Sequence, residues 1–139
     1  MKKNIPIIII ALVLFSALVF FATQFFFPRI PAIEQKLWLN ANEINKTCPA
    51  RVDDATRLDN VTVFPNNVFQ YNYTLYNLLR TDVNPDIVIK TLEPKIIASV
   101  KKDPELKFYK DAKTTLVYSY RDRNGEFIFK IMLGPEKYK

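Results

Sequence analysis

The chain has 139 residues, 20 of them basic and 14 acidic, giving a net charge of +6, with no histidine, one cysteine and two glycines. That inventory excludes the commonest general base and metal ligand, an internal disulfide, glycine-rich phosphate loops and cysteine-based metal clusters. All the acidic residues and 18 of the basic ones lie from Arg29 onward. That length accommodates one small domain of mildly basic character.

The run from Ile5 to Phe27 is almost unbroken apolar sequence. It matches the roughly 20 residues a helix needs to cross a hydrocarbon core. Ala22 is followed by Thr23, Gln24 and Phe25 to Phe27, a poor cleavage site, so length and composition favour a retained transmembrane anchor over a cleaved signal peptide. Phe25 to Phe27 would lie near the far interface. Lys2 and Lys3 cluster at the short N-terminal flank and predict that this end stays in the cytoplasm. The expected organisation is a transmembrane anchor over 1–28 and an extracytoplasmic domain over 29–139. The expected location is the inner (cytoplasmic) membrane of a bacterium, crossed in a single pass.

Pro28 and Pro31 separate this run from a second helix, predicted over Ala32 to Thr47 and stopped by Pro49. Ile33, Leu37, Ala41 and Ile44 fall on one helical face, and Cys48 continues the spacing. Cys48 therefore reads as a buried free thiol, with an intermolecular disulfide as the alternative in an oxidising compartment. A polar connector, Asp53-Asp54-Ala55-Thr56-Arg57, leads into two strands, Leu58 to Phe64 and Val68 to Tyr76, joined by Pro65-Asn66-Asn67. In the second strand Phe69, Tyr71, Tyr73 and Leu75 point one way and Gln70, Asn72 and Thr74 the other.

Asn84 and Pro85 then open a helix as cap and first residue. Ile89, Leu92, Ile96 and Val100 form its apolar stripe, Pro94 is expected to kink or divide it, and Asp103-Pro104 ends it. Lys101, Lys102, Lys107, Lys110 and Lys113 gather here, as a solvated helix end or as a site for an anionic lipid or cell-wall polymer. No recognition helix, zinc finger or RNA-binding sheet signature accompanies them, so nucleic acid is not an expected partner. The final hairpin runs from Thr114 to Arg121, through Asn124-Gly125 as a two-residue turn, to Phe127 to Leu133. Counting from the turn pairs Tyr120 with Phe129, Tyr118 with Ile131 and Leu116 with Leu133.

The expected fold class is α+β: after the N-terminal transmembrane helix, helix-hairpin-helix-hairpin, with a four-stranded, mostly antiparallel sheet covered on one side by helices. The covered face would bury Tyr71, Tyr73, Tyr118, Phe129 and Ile131 together. Val68, Val117, Ile128 and Met132 fall out of phase with that set. Val117, Ile128 and Met132, with Lys101 and Lys102, are the candidate interaction residues, because apolar surface patches are often contact sites.

The stretch Asn45-Lys46-Thr47-Cys48-Pro49-Ala50-Arg51-Val52-Asp53-Asp54-Ala55-Thr56-Arg57-Leu58, the later Tyr71-Asn72-Tyr73-Thr74 and the final Tyr118-Ser119-Tyr120 carry a resemblance. They resemble a family of small uncharacterised bacterial exported or membrane-anchored proteins. That family looks like sharing a CP-x3-D-x2-T segment before an aromatic strand and a tyrosine-rich hairpin. The acidic position falls on Asp53 or Asp54, and the resemblance implies no activity. Cys48, Pro49, Asp53 and Thr56 read as a structural corner in which side-chain oxygens bond the backbone.

Catalysis has little to work with: Asp53-Asp54 is the sole adjacent acidic pair, and a calcium site would need several more oxygen ligands. The expectation is a noncatalytic binding or accessory protein of the bacterial envelope: an assembly factor, accessory subunit or immunity-type inhibitor. It would have no cofactor, a membrane contact through its N-terminal helix and another envelope protein as partner, with a homo-oligomer as a further option. The alternatives are a secreted soluble factor, or a weak hydrolase or ligand carrier using Asp53 and Asp54.

Overall fold

The computed structural model describes residues 5–26 and 31–139, and within the first helix the side chains of residues 9–10 and 12–23. The chain divides into two compact units, residues 1–31 and 32–139. The first contains helix α1, Ile5–Phe26, of 22 residues, whose large side chains from Leu12 to Phe15 are exposed. Among the described residues no helix is long and apolar enough to cross a membrane, so the expected transmembrane helix is not part of the described architecture. The basic start at Lys2 and Lys3, the break at Pro28 and the interfacial placement of Phe25 to Phe27 fall outside the described residues and side chains.

The second unit is α+β. Its elements are α2 (Ala32–Lys46), β1 (Ala50–Arg51), β2 (Thr56–Phe64), β3 (Val68–Leu75), a 3-10 turn at Arg80–Asp82, α3 (Pro85–Lys102), α4 (Lys107–Asp111), β4 (Thr115–Asp122), β5 (Phe127–Leu133) and α5 (Pro135–Tyr138). The sheet has five strands in sequence order, correcting the expected four: β1 is two residues long, too short for any periodicity to reveal. Three of the four pairings are antiparallel, and β3 and β4 are parallel. Parallel neighbours need a crossover of a dozen residues or more. Residues 76–114, with α3 and α4, supply it.

The four helices of this unit contribute to one core. Leu37 and Ala41 from α2, Val100 from α3, Tyr109 from α4 and Tyr138 from α5 join the inward-facing residues of β2 to β5. Ile33 is exposed and Cys48 only half-buried, because α2 ends at Lys46 and the helical phase does not reach the cysteine. Asn84 caps α3 by accepting the Asp86 N–H. Pro94 sits inside α3 without dividing it. At the other end Lys110 Nζ donates to the carbonyls of Val100, Lys101 and Asp103, satisfying acceptors that a helix C-terminus leaves open. Lys107 pairs with Asp111. The lysine cluster is thus partly consumed in holding its own helices.

The last hairpin keeps its expected register, Tyr120 with Phe129, Tyr118 with Ile131 and Leu116 with Leu133, by a different route. Gly125 has φ +85° and Asn124 is not left-handed. The Gly125 N–H bonds the Asp122 carbonyl and the Asp122 N–H bonds the Glu126 carbonyl. This is a type I turn followed by a glycine bulge rather than the two-residue turn. It displaces the pairing by one, giving Arg121 opposite Phe127, and a second irregularity before Phe129 restores it. Ile128 is the extra residue there, and the bulge rotates it into the core, where it is 3 % exposed.

Asp122 fixes this geometry. It is 1 % exposed and accepts the backbone N–H groups of Arg80, Asn124 and Glu126 at 2.9, 2.8 and 2.9 Å. These donors, Arg80 foremost, hold its carboxyl below the usual carboxylate range. The folded-state pKa is depressed, so the stabilisation is complete above the unfolded-state value near about 4 and is lost as pH falls through the folded one. Thermal unfolding of the full chain from neutral to acid pH should show that loss, and Asp122→Asn should flatten it; an identical pH profile would contradict the anchoring role. Urea unfolding should give a cost of about 3 to 5 kcal/mol for Phe129→Ala. Exposed Met132→Ala should stay within about 0.5 kcal/mol.

Candidate functional site

The parallel pairing of β3 with β4 sets Tyr71 opposite Tyr118 and Tyr73 opposite Tyr120. The rings stack, with centroids 5.4 Å apart and 16° between planes for Tyr71 and Tyr118, and 5.2 Å and 19° for Tyr73 and Tyr120. Tyr120 continues onto Phe129 of β5 at 4.7 Å. Cross-strand aromatic pairs of this kind are stabilising contacts in their own right.

The helices cover this face unevenly. Tyr109 of α4 closes over Phe69 at 4.8 Å, α2 packs against β2 and α3 against β5. Between them lies a groove of about 570 Å³, within the range of ligand sites. Its floor is the four tyrosines, one wall is Val88, Leu92 and Ile96 of α3, and Val52, Asp53 and Thr56 stand opposite. Tyr71, Tyr73 and Tyr118 are therefore half-buried, not fully buried as expected. Phe129 and Ile131 are buried.

Among the described residues no protein group hydrogen-bonds the hydroxyls of Tyr71, Tyr73, Tyr118 or Tyr120. None of the four is a buried unpaired atom either, so they open onto the groove. Burial pushes all four above the ordinary tyrosine range; neighbouring phenols add to the effect on Tyr71, Tyr73 and Tyr118, Asp103 on Tyr71 and Tyr118, and Asp53 on Tyr120. The floor thus offers neutral hydroxyls, both donor and acceptor, and no phenolate.

After α2 the chain turns through residues 48–56 into β2. The N–H groups of Val52 and Asp53 donate to the Thr56 carbonyl, and Asp53 Oδ1 accepts the Ala55 N–H at 2.8 Å. The Ala55 N–H foremost, then the donors of Thr56 and the charge of Arg51, lower the Asp53 pKa. Asp54 turns away to an exposed ion pair with Arg51, so the two aspartates do not form a joint site. The Cys48 thiol is pushed up by burial and then by Asp59, which disfavours the reactive thiolate.

The expected contact patch is not assembled. Val117 is 2 % and Ile128 3 % exposed, leaving Met132 at 45 %. Val117 lies between Gln70 and Met132 in the register, and Ile128 has been turned inward by its bulge. Lys101 and Lys102 are exposed at the end of α3. The outer sheet face is mainly polar, with Asn72 donating to Asn60 and Thr62 and Gln70 donating to Asn72. The groove residues escaped sequence reasoning because the tyrosines alternate as core residues do. Their usable signal was chemical: two strands reading Tyr-x-Tyr place four hydroxyls on a face that aliphatic residues would fill more cheaply.

Residues 32–129 match a family described as a domain of unknown function, DUF8479. The chain belongs to that family. No curated protein matches it in sequence. The fold of this DUF8479 member is similar to that of a Pseudomonas aeruginosa protein described as secreted, with TM-score 0.62 and 15 % identity over 77 % of this chain and 93 % of that one. It is similar also to the pilotin EpsS of the Vibrio vulnificus type 2 secretion system, at TM-score 0.61 and 12 % identity over 77 % and 92 %. A third is the type II secretion pilotin AspS of Vibrio cholerae, at TM-score 0.56 and 10 % identity over 76 % and 91 %. At these identities the likeness is one of fold.

If the groove hydroxyls bond only solvent, Tyr118→Phe should change unfolding free energy by less than about 0.5 kcal/mol. Tyr138→Phe removes the buried 2.5 Å bond to the Thr114 carbonyl and should cost about 1 kcal/mol or more. Paired denaturation curves check the contrast.

Proposed function

We propose that this protein is a noncatalytic accessory factor of the bacterial envelope. In this reading the N-terminal helix tethers it to the inner membrane with the domain outside the cytoplasm, and the tyrosine-floored groove grips a segment of another envelope protein. The observation that carries it is the groove: a preformed, largely apolar cleft with neutral polar groups on its floor, in a fold shared with two type II secretion pilotins. The lack of histidine and the separate engagements of Asp53 and Asp54 argue against hydrolysis. The Cys48 to Thr56 corner serves as a structural signature of the family, holding one groove wall. The anchor rests on the sequence alone, on the apolar run Ile5 to Phe27, whose length matches that of a membrane span.

A photo-crosslinking residue at Leu92 in intact cells should trap one envelope protein, and Ile96→Asp should abolish the product in protein that circular dichroism shows to be folded. Recovery of uncrosslinked monomer alone would contradict the groove as a partner site. Carbonate extraction tests the tether separately: release of the chain with a mature N-terminus near Gln24 to Pro28 would favour a secreted soluble factor, the reading that the Pseudomonas protein supports.

A further inference from the structure

Resting on the groove reading above, we infer that the bound segment is apolar with a lysine or arginine, and that the carboxylates of Asp53 and Asp103 receive this cation above the tyrosine floor. Both aspartates line the groove, and among the described residues no basic side chain does. The chain as a whole carries 20 basic against 14 acidic residues, so the groove has the opposite sign to the molecule around it.

Each carboxylate is held by its own turn and keeps acceptor capacity. Asp53 Oδ1 accepts the Ala55 N–H and Asp103 Oδ1 accepts the Glu105 N–H, both at 2.8 Å. Thr56 also engages the Asp53 carboxylate, but a carboxylate has about four acceptor sites, and among the described residues neither aspartate is in an ion pair, so both keep open lone pairs. Nearby cations are occupied elsewhere. Arg51 donates to the Asp54 carboxylate at 2.6 Å and to the Asp53 carbonyl at 3.2 Å. Lys110 is spent on three carbonyls at the end of α3.

A lysine ammonium has three donors and an arginine guanidinium five. The open lone pairs of the two carboxylates and the phenol oxygens of Tyr71, Tyr118 and Tyr120 supply matching acceptors within one cleft. A neutral apolar segment would cover those acceptors and leave them unpaired, which costs free energy. An acidic segment would meet two like charges. The apolar wall of Val88, Leu92 and Ile96 selects a segment with aliphatic anchors rather than a purely polar one.

The test uses the full chain in nonionic detergent and two short leucine-, alanine- and serine-based peptides that differ in a single central residue, arginine or glutamate. The arginine peptide should bind about tenfold tighter or more, as charge-assisted contacts in a partly desolvated cleft do. The double variant Asp53→Asn with Asp103→Asn keeps both Oδ1 acceptors, hence the local fold, and should bring the two peptides within about twofold of each other. Leu92→Gln should weaken both peptides alike. Equal affinities in the unmodified protein, both weakened by Leu92→Gln, would overturn the cation inference while leaving the groove as a binding site. A preference that survives the double variant would also overturn it. Failure of both peptides to bind would overturn the groove reading and this inference together, and equal competition by mixed micelles of phosphatidylethanolamine in the detergent would overturn it in favour of a lipid amine.

Discussion

The parallel pairing of β3 with β4 is the contact on which the rest of this domain depends. It requires a crossover, and residues 76–114 place α3 and α4 over the same face that receives α2. It also sets the rungs of that face. Phe69 with Leu116 is fully buried beneath helices, whereas the next rungs, Tyr71 with Tyr118 and Tyr73 with Tyr120, are half-open. Residue type follows cover along the two strands: hydrocarbon where helices close the face, phenol where they do not. A tyrosine can leave its hydroxyl in water while its ring packs, so the open rungs avoid an unsatisfied polar group.

With one cysteine and no internal disulfide, the sheet is closed at its margins by side chains bonding backbone. Beyond the short β1, the bare edge of β2 is met by Asn45, whose amide both donates to the Val61 carbonyl and accepts the Val61 N–H, at 2.9 and 2.6 Å. At the opposite edge Lys137 Nζ donates to the Met132 carbonyl, and Lys130 is exposed on the same strand. Charged edges of this kind resist strand addition. Asp122 joins the hairpin turn to the segment before α3 through Arg80. One buried carboxylate therefore couples the end of β4 to the entry of the helix that walls the groove.

Much of the domain was legible from residue pattern. The limits of β2 to β5, within two residues, and the Asn84 cap follow from spacing and local chemistry, which act over a few residues, whereas the Tyr120 to Phe129 register was expected from a two-residue turn and holds because two irregularities cancel. The parallel β3–β4 contact was not legible, because it joins segments nearly forty positions apart in the sequence and no local rule sets its direction. Ile128 shows the limit in one residue. Its alternation phase points outward, and only the pair of compensating irregularities, set off by Gly125 and held by Asp122, turns it in. The groove was hidden for a related reason. Alternation identified the tyrosines as facing the helices, but how far three helices extend over a face depends on their mutual packing and not on any one element.

The incomplete cover of the tyrosine rungs has a consequence for both stability and recognition. Each half-open ring leaves apolar area that burial would convert to stabilisation at roughly 25 cal/mol per Å², so the domain alone is less stable than its sheet could support. A segment seated between α3 and the corner at Asp53 would supply the missing part of the helical layer, and binding of this kind raises the stability of the folded state by mass action. In the proposed complex the tyrosine hydroxyls and the two carboxylates would set the chemical terms of that completion. They make the cleft tolerable when empty, because water satisfies them, and selective when filled, because an occupant must replace that water with donors.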